Sequence, residues 1–299
     1  MRVGIVLPIG GSDAPDGTMA RWSHVRAQAA AAEEHGLDSV WVADHFFYRS
    51  RDGATHGIHE GWTVLSAVAA VTERVELGTL VACTSFRSAG LLAKMAVTLD
   101  EVSDGRVVLG VGSGWHDPEY QAFGYPTDRK VTRFAERLEA VVRLLRGETV
   151  TMDGGFDTLR DAVLLPAPAR RIPVLVAAEG PRMLRLAARW GDAWVTAWYG
   201  APSAELRVLL KAFDAVLAGA GRDRSEVRRI VGITVRDPDQ PPVAEPEADA
   251  LDGDVRGLAA ALDAYAALRV DEVIAVLEPM TPRSVERLAE AARLMAHRD

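Results

Sequence analysis

The chain is short of cysteine, of basic charge and of long apolar runs, and each shortage narrows what it can be. Its 299 residues hold one cysteine, Cys83, so an intrachain disulfide framework is excluded, and no CxxC or HExxH pattern offers a zinc site. The expectation is a reduced, cytoplasmic setting and no metal. Lys+Arg total 34 against 42 Asp+Glu, a net charge of −8, which argues against a general nucleic-acid or membrane-surface binder. No apolar run nears the ~20 residues of a membrane span. Residues 1–8 read as a strand rather than a signal peptide. The GxGxxG turn of a dinucleotide-binding fold is also missing near the start, where the first turn reads PIGGSDAPDG.

What is present is alternation. Short β-branched runs at 3–8, 38–43, 75–81, 106–111, 173–177, 192–196, 229–235 and 270–277 read as strands. Ala/Leu/Glu/Arg stretches with helical spacing follow them at 20–35, 60–72, 89–102, 129–146, 181–190, 203–219, 254–267 and 282–297. Repeated βα units of this kind predict an α/β fold, a (β/α)8 TIM barrel. The whole of 1–299 is read as a single domain with two insertions. One, at 147–172 after helix four, contains a possible small hairpin, ETVTMDGGFDTLRDAVLLP; the other is the Pro/Asp/Glu-rich 236–252 after strand seven. By its place on the βα-loop face the second suits either a lid or a solvated acidic loop. Gly36, the Asp104-Gly105 pair and Thr281 before Pro282 read as helix punctuation.

Barrel active sites lie at the C-terminal ends of the strands, and three stretches reach that rim. In SVWVADHF an apolar strand stops on Asp44 and His45. A buried ionisable pair is costly unless it borders a polar cavity, where His45 would act as acid, base or donor and Asp44 would orient it. The pair equally suits a turn in which Asp44 caps and His45 bonds a backbone carbonyl. In GRVVLGVGSGWHDPEY, Gly110, Gly112 and Gly114 permit close backbone approach to a ring or phosphate, or simply a tight turn. In IPVLVAAEGPRMLRLAARW, Gly180 and Pro181 open a helix whose first N–H groups are free. That is an ordinary helix start or an anion site, which Arg182 would reinforce while Glu179 accepts from a hydroxyl or ring N–H. Cys83, Trp41, Trp62 and Trp190 read as packing residues. Neither a lysine at a strand mouth nor a metal-ligand cluster is evident, which disfavours an aldolase or isomerase barrel.

Together these elements, DHFF at 44–47, EGWTVLSAVAAVTERVELGTLV at 60–81, FR at 86–87, TLDEVSDGRVVLGVGSGWHDPEYQAFGYP at 98–126 and PVLVAAEGPRMLRLAARWGDAW at 173–194, resemble the bacterial luciferase-like oxidoreductases. DHFF, the TLDEVSDGR block and the GxGW-xxxE pattern are most similar to the branch that uses coenzyme F420. The resemblance implies an enzyme that transfers a hydride between the deazaflavin and a small organic substrate. The alternatives are an FMN-dependent monooxygenase served by a separate reductase, and a non-catalytic flavin- or deazaflavin-binding protein. It implies that Asp44 and His45 lie near the ring's polar edge, and that the phosphate sits by Ala178, Glu179, Gly180, Pro181 and Arg182. Gly112, Ser113 and Gly114 would pass the ribityl side, and a bulge mapped to Gly78, Thr79, Leu80 and Val81, often with a non-proline cis peptide, would support one ring face. A homodimer is also implied. Two departures stand out. Relatives often carry proline shortly after FR, where this chain has Arg87-Ser88-Ala89-Gly90. F420-dependent sugar-phosphate dehydrogenases carry a carboxylate where this chain has Trp115, so an aromatic wall of Trp115, Trp198 and Tyr199 over an apolar or planar substrate is expected instead.

Overall fold

The structure, a computed structural model, describes residues 1–11, 13, 18–50, 53–237, 239 and 250–296. The eight expected strands form as β1 (Arg2–Val6), β2 (Ser39–Val42), β3 (Glu76–Thr79), β4 (Val107–Gly112), β5 (Val174–Ala177), β6 (Ala193–Tyr199), β7 (Arg228–Arg236) and β8 (Glu272–Glu278). They pair in the order β5-β6-β7-β8-β1-β2-β3-β4, all parallel, and the β4–β5 pairing closes the ring. The eight helices follow as α1 (Trp22–Glu34), α2 (Gly61–Ala69), α3 (Ala89–Val102), α4 (Lys130–Leu145), α5 (Pro181–Trp190), α6 (Ala204–Gly219), α7 (Val255–Ala267) and α8 (Pro282–Ala296). The protein is a (β/α)8 barrel, as the alternation predicted. Strands buried on both faces explain the near-continuous Val/Ile/Leu runs that made them readable.

The barrel has two apolar layers. Outside the strands, their outward side chains pack against all eight helices in one continuous core. Inside, Trp41, Val108, Leu175, Val195, Ile230 and Ile274 fill the lumen. Trp41 takes so much of it that a Cβ on Gly78 would lie 2.1 Å from the indole ring. At the bottom the lumen ends in polar groups: Trp41 Nε1 donates to Ser39 Oγ (2.8 Å), and Ser39 Oγ donates to the fully buried Glu272. Burial pushes the Glu272 carboxyl above its usual range, opposed by Arg2. The other, upper end holds the C-terminal ends of the strands, where barrel active sites lie.

Smaller elements decorate that upper end, and most were not readable. Phe47–Arg49 and Thr55–Gly57 form a hairpin after β2, Ala82–Cys83 adds a short strand beside β4, and Asp117–Ala122 is a six-residue helix after it. Runs of two to six residues show too little of either period to be recognised. The insertion after α4 does carry the expected hairpin, Val150–Asp153 with Thr158–Ala162. Most of 236–252, read as a lid or acidic loop, lies outside the described residues; at its end Leu251–Asp252 pairs with β7. Thr281 caps α8, accepting from Ser284 N at 3.1 Å, and Gly36 and Gly105 adopt φ of 85° and 77°, as helix endings require.

The close fit of Trp41 against Gly78 gives a direct expectation. Gly78→Ala destabilises the fold by about 1–3 kcal/mol or more, because neither ring nor backbone has room to yield. Gly90→Ala, where a Cβ meets nothing within 4 Å, is neutral or stabilising by up to about 1 kcal/mol. Urea unfolding of the two variants beside the parent protein measures both.

Candidate active site

A cavity of about 320 Å³ opens at the C-terminal rim of the barrel. Its wall combines residues from five separate segments: Asp44 and His45 after β2, Leu80, Val81 and Cys83 after β3, the turn from Gly112 to His116 with Glu119 and Tyr120 beyond it, Ala177 to Glu179 with Met183 around the end of β5, and Val195 to Trp198 on β6. The three stretches singled out from sequence thus meet at one place.

His45 and Asp44 are adjacent in sequence and have separate partners. Asp44 accepts from Arg87 through both oxygens (2.7 and 2.9 Å) and from the Cys83 N–H (2.8 Å). Arg87 also donates to Glu60 (2.7 Å), whose carboxylate caps α2 by accepting from Trp62 N and Thr63 N. Asp44 therefore orients the loop after β3 rather than the imidazole, which corrects the expectation drawn from its position. His45 Nδ1 lies 2.6 Å from Glu119 Oε1, and Glu119 Oε2 accepts from Phe46 N–H at 2.6 Å. A carboxylate at Glu119 accepts through both oxygens, so the ring N–H it receives is that of Nδ1, and Nε2 is the imidazole nitrogen left for another partner. Glu119 is 1% exposed, and the six-residue helix Asp117–Ala122 aims it. Aromatic packing holds the backbone around them: Phe46 meets Phe86 and Phe123 at centroid separations of 4.6 and 4.7 Å. Trp115 stands edge-on to His45 at 5.7 Å.

Of the two readings of the glycine-rich turn, close approach to a ligand and a tight turn, the packing around it supports the second without removing the turn from the cavity wall. A Cβ on Gly110 would lie 1.9 Å from the Thr79 carbonyl oxygen, on Gly112 2.7 Å from Val81, and on Gly114 2.0 Å from the Tyr120 hydroxyl. The turn is glycine because its own neighbours fill the space. Tyr120 donates to the Ser113 carbonyl (2.9 Å) and its hydroxyl lies 3.0 Å from Cys83 Sγ. Burial raises the pKa of both groups, so neither is a ready nucleophile or base.

Other expected residues divide. Leu80, Val81, Gly112, Ser113, Gly114, Ala178, Glu179, Trp115 and Trp198 line the cavity, and the Leu80–Val81 peptide is cis, within the segment expected for it. Thr79 does not line it: its hydroxyl is buried and donates to the Gly110 carbonyl (2.7 Å). Tyr199 stands behind, its hydroxyl 3.1 Å from Thr196 Oγ1, which donates to Glu179 (3.1 Å). Gly180, Pro181 and Arg182 start α5 just outside the wall, and Arg182 reaches sideways to Thr132 Oγ1 (2.9 Å). Sequence reasoning passed over Arg87, Glu119 and His116. The first two stood in quoted patterns, FR and GxGW-xxxE, but only the fold shows what they reach.

With the geometry in place, comparison with known proteins becomes informative. A family model described as luciferase-like monooxygenase matches residues 1–293. The chain belongs to this family. Among curated relatives of this luciferase-like chain, an F420-dependent glucose-6-phosphate dehydrogenase of Microbacterium testaceum is 35% identical over 208 residues, 68% of this chain and 61% of that protein. The chain thus spans about three-fifths of that relative's length. A solved F420-dependent secondary alcohol dehydrogenase, in complex with an F420-acetone adduct, superposes with a TM-score of 0.79 at 20% identity over 98% of both chains. A monooxygenase from Streptomyces bottropensis does so with a TM-score of 0.78 at 24% identity over the whole of both. These two likenesses establish the shared fold.

Two outcomes follow from the site's polar contacts. Arg87→Ala leaves the Asp44 carboxylate, 4% exposed, without its cationic partner and with only the Cys83 N–H, and lowers stability by about 3–5 kcal/mol in denaturant unfolding. His116 Nε2 accepts from Arg49 N–H at 3.0 Å, which anchors the hairpin after β2. Burial holds the His116 pKa below its ordinary value, with Glu119 opposing. Unfolded chains therefore bind the proton first as pH falls, so this anchor's stabilisation is complete above about pH 6.5 and declines below it. His116→Gln, which keeps an acceptor and loses the titration, flattens that decline in melting temperature between pH 7 and 5.

Proposed function

We propose that this chain is an F420-dependent oxidoreductase that moves a hydride between the deazaflavin and an uncharged organic substrate. The observation that carries the reading is the His45–Glu119 pair on the wall of a cavity that extends to the start of α5. The 35% identical relative named for F420 supports it. The residues present fit such a coenzyme. Leu80, Val81, Ala177 and Val195 supply an apolar part of the wall on which a ring system can rest. Beside it α5 begins at Gly180 with no side chain capping its amides, and a Cβ there would meet nothing within 4 Å, so an anionic tail has access to free N–H groups. Bound there, F420 would supply the carbon that accepts or gives the hydride.

The chain's own residues supply position and proton. Glu119 fixes the imidazole so that Nε2 of His45 takes a proton from a substrate hydroxyl, or returns one to a carbonyl. Trp115 and Trp198 stand at the rim, where they shield the reacting atoms from water. Among the described residues the cavity wall includes no lysine or arginine, so the phosphate of a sugar phosphate would find no cationic partner there. The substrate side is therefore read as neutral and apolar or planar, in keeping with the expectation from Trp115. The family's description as monooxygenases keeps FMN as the second reading, since both rings have one shape and one phosphate. A homodimer in the cytoplasm belongs to the same proposal; exposed Leu91 and Val102 on α3 support a covered outer face.

Equilibrium binding of the purified protein to F420 and FMN side by side tests this, followed by turnover of secondary alcohols and ketones without oxygen. F420 binds preferentially, and His45→Ala keeps that binding while losing about 10²–10⁴-fold in rate. Preference for FMN with oxygen consumption overturns the reading in favour of a monooxygenase. Binding with no turnover of any such substrate marks a non-catalytic carrier.

A further inference from the structure

Two large rings at the cavity rim face solvent although each is packed against other rings. Trp115 is 64% exposed, and Tyr48, on the hairpin after β2, is 38% exposed. A buried imidazole stands behind both of them. His116 stacks on the Tyr48 ring at a centroid separation of 5.2 Å, with 23° between the planes, and meets Trp115 at 5.1 Å. Its Nε2 accepts from the Arg49 N–H at 3.0 Å, so the strand that carries Tyr48 is fastened to the loop that carries Trp115. Tyr48 and Trp115 also meet each other, at 6.0 Å and 56°. Rings held in this way lose little rotamer freedom when a ligand settles on them.

The two rings continue outward from the reacting groups. Trp115 and His116 belong to the cavity wall, and Trp115 lies edge-on to His45 at 5.7 Å. Tyr48 follows 6.0 Å from Trp115 and lies beyond the wall. None of the three rings around Trp115 is stacked on the indole, their planes being turned from it by 56° to 77°. Aromatic area left in water beside a cavity gains contact energy when a planar group lies against it. We propose that Trp115 and Tyr48 form an aryl subsite, and that the substrate is a secondary alcohol or ketone with a planar aromatic arm. The arm leaves the reacting carbon beside His45; its first ring lies at Trp115 and a second ring reaches Tyr48. The inference rests on the hydride-transfer reading above and names the substrate class of that site.

The test is calorimetric titration of the protein holding oxidised F420, which has no hydride to give, so that binding is measured without turnover. Four methyl ketones serve as probes, bearing a cyclohexyl, a phenyl, a 4-cyclohexylphenyl or a 4-biphenylyl group. Each saturated ring matches its aromatic counterpart in bulk and is the more apolar of the two, so a preference for the flat ring reports stacking. The parent protein binds phenyl over cyclohexyl, and biphenylyl over cyclohexylphenyl, by about two- to tenfold in each comparison. The same ratios appear in kcat/KM for reduction of the four ketones with reduced F420 in the absence of oxygen. Trp115→Leu abolishes the first preference and Tyr48→Leu the second. Trp115→Phe and Tyr48→Phe retain both, which separates loss of an aromatic face from a misfolded rim. No preference in the parent, or a preference that survives both leucine variants, overturns the aryl subsite and leaves the oxidoreductase reading standing. A preference in binding with no turnover overturns the oxidoreductase reading and leaves the subsite. Binding of none of the four ketones overturns both.

Discussion

The carboxylate of Asp44 is buried at the end of a barrel strand, and the arrangement of the upper rim depends on how it is satisfied. Arg87 meets it with two parallel hydrogen bonds and the Cys83 amide supplies a third. The same guanidinium extends to Glu60, the cap of α2. One cation therefore ties the end of β2, the approach to α3 and the start of α2, so that three chain segments take their positions from a single planar group. A lysine has neither the fork nor the reach to do this. With Asp44 so engaged, its neighbour His45 is left to the cavity, where Glu119 holds it from another βα loop.

Space around the site is allocated as strictly as charge. Large rings occupy volume that would otherwise belong to a neighbour's Cβ, and glycine stands at each such neighbour: Gly78 beneath Trp41, Gly114 beside Tyr120, Gly232 against Trp198. Close packing makes these pairs interdependent, because an interior at crystal-like density has no slack to accept one more methyl group. Gly112 and Gly114 line the cavity, and the space a Cβ would take at each already belongs to Val81 and Tyr120. At Gly180, at the head of α5, a Cβ would meet nothing within 4 Å.

Charge is also divided by place. The cavity wall carries carboxylates and imidazoles, while arginines without carboxylate partners gather along the outer face of α5. The buried groups are thereby held in a partly desolvated setting, whereas the exposed row stays open to solvent and counter-ions.

The fold was legible in the sequence because its information is local and repeated. Each strand is an apolar run and each helix a 3.6-residue pattern, and eight repetitions of βα leave few alternatives to a barrel. The residues that end the strands, Asp44 and His45 or the glycines after β4, could likewise be assigned to one rim. Their partners could not. Glu119 is 74 residues from His45 and Arg87 is 43 from Asp44, and no spacing rule connects them. The sequence by itself determined a barrel and which segments border its mouth. Only the tertiary structure decided which carboxylate serves the imidazole, which is consumed by an arginine, and why the turn is glycine, because those are properties of distances between segments that meet only when the ring closes.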